Sequence, residues 1–229
     1  MKLTPPPLTN VKPDYQRAAI KAAHVLIEND IRSAPVMPLP IFKRMHGCIV
    51  LSFTEMSNRI GMNRENLITA FDAENHDAVT SVHFEDGKLR YLVTYNQRLP
   101  LYLVQRALAR EMGHYVLGHT GNLPEEVRMA EAHAFASYLL CPRPLIHAVQ
   151  ESNIPLTVEV LGAMTGCYER CLQGMRKTPG VSIPKELNQQ VREKFSDYIE
   201  NFLDYESYLT KSDESMLANL GTYMDGYEE

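Results

Sequence analysis

Ala109-Arg110-Glu111-Met112-Gly113-His114-Tyr115-Val116-Leu117-Gly118-His119 is the stretch on which the reading of this chain turns. Two histidines four residues apart on a helix, with a glutamate directly after the first, set both imidazoles toward one metal ion and leave the carboxylate to activate a metal-bound water. Here the first of the two positions is Arg110 and the second is His114, with Glu111 between them. A guanidinium offers a metal no lone pair, so the spacing is kept with one donor missing.

The flanks make this stretch the core of a helix over Leu101 to Leu117. Pro100 opens it, and the Gly118-His119-Thr120-Gly121 segment ends it. Val104, Ala107, Leu108 and Tyr115 define an inward face, within which Glu111 falls while His114 flanks it. A second helix, Pro124 to Leu140, repeats the pattern: Val127, Glu131, Ala134, Phe135 and Tyr138 form a stripe with an acid in its middle. A carboxylate on a core face needs a cation, a donor or a metal-bound water. Glu131 lies seventeen residues after His114, where a hairpin of two helices can set it opposite.

Outward from that pair, Ala78 to Phe84 and Lys88 to Tyr95 read as strands joined at Asp86-Gly87. Asp14 to Ile31 reads as an amphipathic helix broken by Pro35, Pro38 and Pro40, and Cys48 to Phe53 as a short apolar run. Two small helical patches follow, Thr54 to Ile60 and Asn63 to Phe71. After Pro142 come a short helix, Arg143 to Gln150, and two more within Thr157 to Lys177, broken at Thr165-Gly166. Beyond Pro179-Gly180, the stripe Leu187, Val191, Phe195, Tyr198 and Phe202 predicts one long helix over Pro184 to Leu209, then an acidic tail, Thr210 to Glu229. The class is α+β: a mostly helical domain over 1–178 with its core at 78–142 and a small sheet or hairpin on the motif helix, and a C-terminal helix with a tail over 179–229.

Composition narrows the function. A net charge of -5 argues against a nucleic-acid partner, since phosphate binding concentrates Lys and Arg. Met1 to Pro7 holds no apolar run of signal-peptide type, and no eighteen apolar residues occur together, so a cytoplasmic protein without a membrane span is expected. Cys48, Cys141, Cys167 and Cys171 are too sparse for a disulfide framework. Cys167 and Cys171 stand four apart, but no second pair completes a tetrahedral set.

Ala78 to Pro142 resembles the peptidase domain of the ImmA/IrrE family. The likeness is carried by Tyr95-Asn96, by Ala109 to His119, and by Glu131-Ala132-His133-Ala134-Phe135-Ala136 with Leu139-Leu140-Cys141-Pro142. It implies a zincin-like fold and a zinc endopeptidase that cleaves a helix-turn-helix repressor, releasing genes of mobile elements, phages or stress responses. It also implies His114 and Glu131 as metal ligands, Glu111 as general base, and Arg110 at the missing ligand position. Zinc is the cofactor so implied, and a metal-free site is the other expectation.

Two remedies for the missing donor follow. His119 would lie about 140° round a continued helix from His114, and His133 about 160° from Glu131, so both read as surface or packing histidines. His24, His46, His76, His83 and His147 have no spacing that singles them out. Alternatively, Arg110, only about 40° from His114, replaces the ion itself through a bidentate pairing with Glu131 beside Glu111. The expected function is a peptidase-fold regulator with a degenerate metal site that binds a repressor or another protein segment. An active zinc endopeptidase with a substitute ligand such as His119 is the alternative. A DNA-binding regulator using helices 157–177, with Arg170, Arg176 and Lys177 on phosphates, is a third.

Overall fold

The computed structural model describes residues 11–70, 77–85, 87–119, 123–167, 180–207 and 209. Its first helix, α1 (Tyr15–Glu28), begins where the Asp14 side chain accepts a hydrogen bond from the Arg17 backbone N–H. Ala18, Ala19, Ala22 and Ala23 are all buried there, and these small side chains let α1 lie close against a later helix. After the short α2 (Pro38–Phe42), the apolar run is strand β1 (Cys48–Ser52). Ser52 ends the strand and caps α3 (Phe53–Ile60): its hydroxyl accepts from Glu55 N, while Glu55 accepts from Ser52 N. Helix α4 (Arg64–Ala70) follows.

β2 (Ala78–Glu85) and β3 (Lys88–Tyr95) form the expected antiparallel hairpin, with Gly87 at φ +75. β1, a short apolar run in the sequence, carries no strand signal of its own. It pairs parallel with β3, Val50 opposite Val93, so the sheet order is β1-β3-β2. Val93, flanked on both sides, is fully buried. β2 is left as an edge strand.

Helix α5 (Leu101–Val116) packs on this sheet, and α6 (Glu125–Leu140) packs against both α5 and α1. Gly113 makes the α5–α6 approach possible: a Cβ there would stand 3.1 Å from a Phe135 ring carbon and 3.2 Å from the Ala132 backbone. Leu26, Leu108, Met112, Phe135 and Leu139 fill the space between the three helices. Each fully buried side chain of this kind contributes about 1.5–3 kcal/mol.

Helices α7 (Arg143–Glu151) and α8 (Val158–Thr165) continue the chain. The second half of the Thr157–Lys177 pair lies outside the described residues, as do Cys171, Arg170, Arg176, Lys177 and the acidic tail. The long C-terminal helix is two pieces: α9 (Lys185–Lys194) and a helix over 196–207, α10. The break falls at Phe195, whose N–H is shared between the Val191 and Arg192 carbonyls. Phe195 at the break, and Val191 and Ile199 on either side of it, are buried in the same core as α1 and α6. Among the described residues no helix is long and apolar enough to cross a membrane.

Candidate functional site

The site forms where α5, α6 and the β2 edge meet, and the way α5 ends decides its content. Gly118 takes φ +64, the His119 N–H bonds the His114 carbonyl and the Gly118 N–H bonds the Tyr115 carbonyl. This is a Schellman exit, which folds the second residue past the helix back over the last turn. His119 is thereby carried onto His114, and its ring is buried, 5% exposed. Counted round a continued helix it would face away from His114; the left-handed Gly118 that ends α5 turns it inward, so of the surface and packing roles expected for it the surface one is excluded. His133 does stay on the outer face of α6, exposed.

Glu131, Glu111 and His114 take up the inward positions expected of them, in two separate clusters. In the first, Glu131 Oε2 lies 2.9 Å from His119 Nε2, and His119 Nδ1 lies 2.9 Å from His114 Nδ1. Glu131 Oε1 accepts from the Asp14 backbone N–H at 2.8 Å, tying the start of α1 to the site. As a carboxylate Glu131 only accepts, so His119 Nε2 donates to it. A neutral imidazole carries one N–H, so His119 Nδ1 accepts from His114 Nδ1 and the free lone pair of His114 sits on Nε2. Burial pushes His114 down to about 3, with the neighbouring His119 and Arg110 adding to the effect. Burial also lowers His119, against the upward pull of Glu131. Both rings are neutral at physiological pH.

In the second cluster Arg110 Nε and Nη2 donate to Glu111 Oε1 at 3.0 and 2.8 Å, and Nη2 also reaches the Ala78 carbonyl at 3.3 Å. Thr80 donates to the other Glu111 oxygen at 2.6 Å. The pairing expected between Arg110 and Glu131 is therefore replaced by one with Glu111. Glu131 already has a donor on each oxygen, and Arg110 turns toward β2, where Ala78 offers a further acceptor.

A tetrahedral zinc ion bound by two imidazoles at 2.0–2.1 Å holds their nitrogens about 3.3 Å apart and its third ligand at a similar distance from both. The nitrogens of His114 and His119 are closer than that. Glu131 binds the far side of the His119 ring, away from His114. Arg110 has no donor to add. Among the described residues no group of three or more His, Cys, Asp or Glu side chains is set to hold a metal ion. In this arrangement the residues do not fit a catalytic zinc.

Between β2, α5 and α6 opens a cleft of about 250 Å³, with Thr80, Val82, Arg110, His114, His119 and Arg128 in its lining. Sequence reasoning named His119 only as a substitute ligand for an active site, and it did not single out Thr80 or Arg128. The glycine after α5 signalled the inward turn of His119, and Arg128 had no signal beyond its place three residues before Glu131.

Residues 67–160 match the family model of the IrrE N-terminal-like domain, peptidase M78. Arg110, Glu111, His114, His119, Arg128 and Glu131 all lie within the matched range, whereas Asp14 and α1 lie outside it. No curated protein and no solved structure matches the chain.

Proposed function

With residues 67–160 forming an IrrE N-terminal-like domain, a metallopeptidase-family module, we propose that this protein is a regulator whose metal site is degenerate, and that it binds a protein segment instead of cleaving it. The observation that supports this most is the insertion of His119 between His114 and Glu131, the two ligand positions the chain retains. Arg110 adds to it by engaging Glu111, the residue in the position of the general base, while Thr80 takes that residue's other oxygen. Both parts of the hydrolytic machinery are thus satisfied by protein groups.

The partner in this reading is a protein, with a helix-turn-helix repressor as the natural candidate for this family. The edge of β2 beside the cleft, unpaired among the described residues, can accept an extended segment by strand addition. DNA binding through helices 157–177 gains no support, because its basic residues lie outside the described part.

Zinc content tests the proposal. Full-length protein purified with added zinc and then dialysed is expected to carry metal well below one ion per chain, and to leave peptide substrates intact with or without chelator. Arg110→His restores the donor spacing and is expected to raise zinc retention. Stoichiometric zinc in the unaltered protein, lost on His119→Ala, would instead establish the active peptidase with His119 as substitute ligand.

A further inference from the structure

We propose that the cleft between β2 and α6 receives an extended segment of a partner protein that carries an acidic side chain, and that Arg128 is the cation that takes its carboxylate. The inference rests on the binding role proposed above and names the chemistry of the segment bound.

Two arginines line the cleft, in different states. Arg110 is held by Glu111 and Ala78. Arg128 stands one turn into α6, and among the described residues it makes no ion pair. Its Nε is sealed from solvent with no hydrogen-bond partner. Glu125, the acid on the rim besides Glu111, is exposed and not paired with it. The half-buried Arg128 side chain lines the cleft, and the fork-shaped donor set of a guanidinium matches a carboxylate better than any neutral group.

The rest of the surface fits an extended chain. β2 pairs with β3 on one side, and no other strand among the described residues pairs with its other edge. Thr80, Val82 and Phe84 alternate along it onto one face, and Val82 and Phe84 are 43% and 72% exposed. An incoming strand would put apolar side chains on Val82 and Phe84 at one end and, with the same alternation, a carboxylate over the cleft.

The test uses the full chain, in chelator, and two short blocked peptides of alternating threonine and valine that differ only in a central glutamate or glutamine. Anisotropy titration is expected to show about tenfold tighter binding of the glutamate peptide. Arg128→Gln should lower that affinity to the level of the glutamine peptide and leave the glutamine peptide unchanged, while Arg128→Lys, which keeps the charge without the fork, should retain part of the preference. Equal binding of the two peptides, failure of the glutamate peptide to bind, or a preference that survives Arg128→Gln would overturn the proposal. Self-association abolished by Arg128→Gln, without peptide binding, would overturn it in favour of a second copy as occupant. Zinc content, measured separately, decides the degenerate-site reading: bound zinc with an Arg128-dependent preference removes that reading and keeps this one.

Discussion

Replacing Arg110 by methionine removes a cation from beside a carboxylate that has almost no water to fall back on. The side chains of Arg110 and Glu111 are 14% and 7% exposed, so the pair is close to the buried limit, where breaking it by deleting one partner costs about 3–5 kcal/mol. After Arg110→Met, Glu111 would keep, among the described residues, only the Thr80 hydroxyl as donor. Glu111→Gln alone should be milder, about 1–3 kcal/mol, because the amide oxygen still accepts from Arg110 and the amide N–H can donate to Thr80. The double variant leaves no unpaired charge, and its loss should fall short of the sum of the two single losses by about 2–3 kcal/mol. Against a domain stability of about 5–15 kcal/mol, Arg110→Met alone removes a large share. Urea unfolding by circular dichroism measures all four corners of the cycle, with equal slopes required for the comparison. A cost below about 1 kcal/mol for Arg110→Met, with additive losses in the double variant, would refute the argument. The pair would then behave as a solvent-screened surface contact.

Acid should destabilise the fold through the histidines. His114 is held at about 3 by burial against an ordinary 6.5, so between those limits the unfolded chain binds a proton that the folded chain refuses. Stability is therefore full above pH 6.5 and falls as pH drops, by at most about 1.4 kcal/mol per unit for this group. Urea midpoints at pH 7 and pH 5 should diverge less in His114→Gln than in the parent protein, and an unchanged difference would count against a neutral buried ring. Gly113→Ala should destabilise by about 1–3 kcal/mol despite alanine's better helix propensity, since the added methyl meets the Ala132 backbone at 3.2 Å and that backbone cannot rotate away. A thermal melt at or above that of the parent protein would show instead that α5 and α6 can separate without loss.

How far the sequence carried depends on which periodicity governs each residue. Glu111 and Glu131 were legible as inward-facing acids because both lie mid-helix, where an angle of 100° per residue holds and the apolar neighbours mark the core side. The β2–β3 hairpin was legible from Asp86-Gly87, whereas the parallel pairing of β1 was not, since its partner lies more than forty residues away and no turn announces it. The long C-terminal stripe gave the buried face correctly. It could not give the break at Phe195, because the side chains on either side keep their helical spacing.

His119 marks the point where helical counting fails for a physical reason, and it is also the residue on which the site turns. Counted as a helix it faces away from His114; turned by Gly118 it becomes the residue that His114 and Glu131 both contact. In a Schellman exit the residue two past the cap normally makes an apolar contact with the last turn. Here the same geometry brings two imidazoles together, so a device for ending a helix also builds the polar chain from Asp14 through Glu131 and His119 to His114. That chain satisfies the buried carboxylate with a ring and a backbone N–H, the demand that an ion would otherwise meet. The arginine at position 110 does the same for Glu111. Each of the two inward acids of this fold thus has protein donors, His119 and the Asp14 N–H for Glu131 and Arg110 and Thr80 for Glu111.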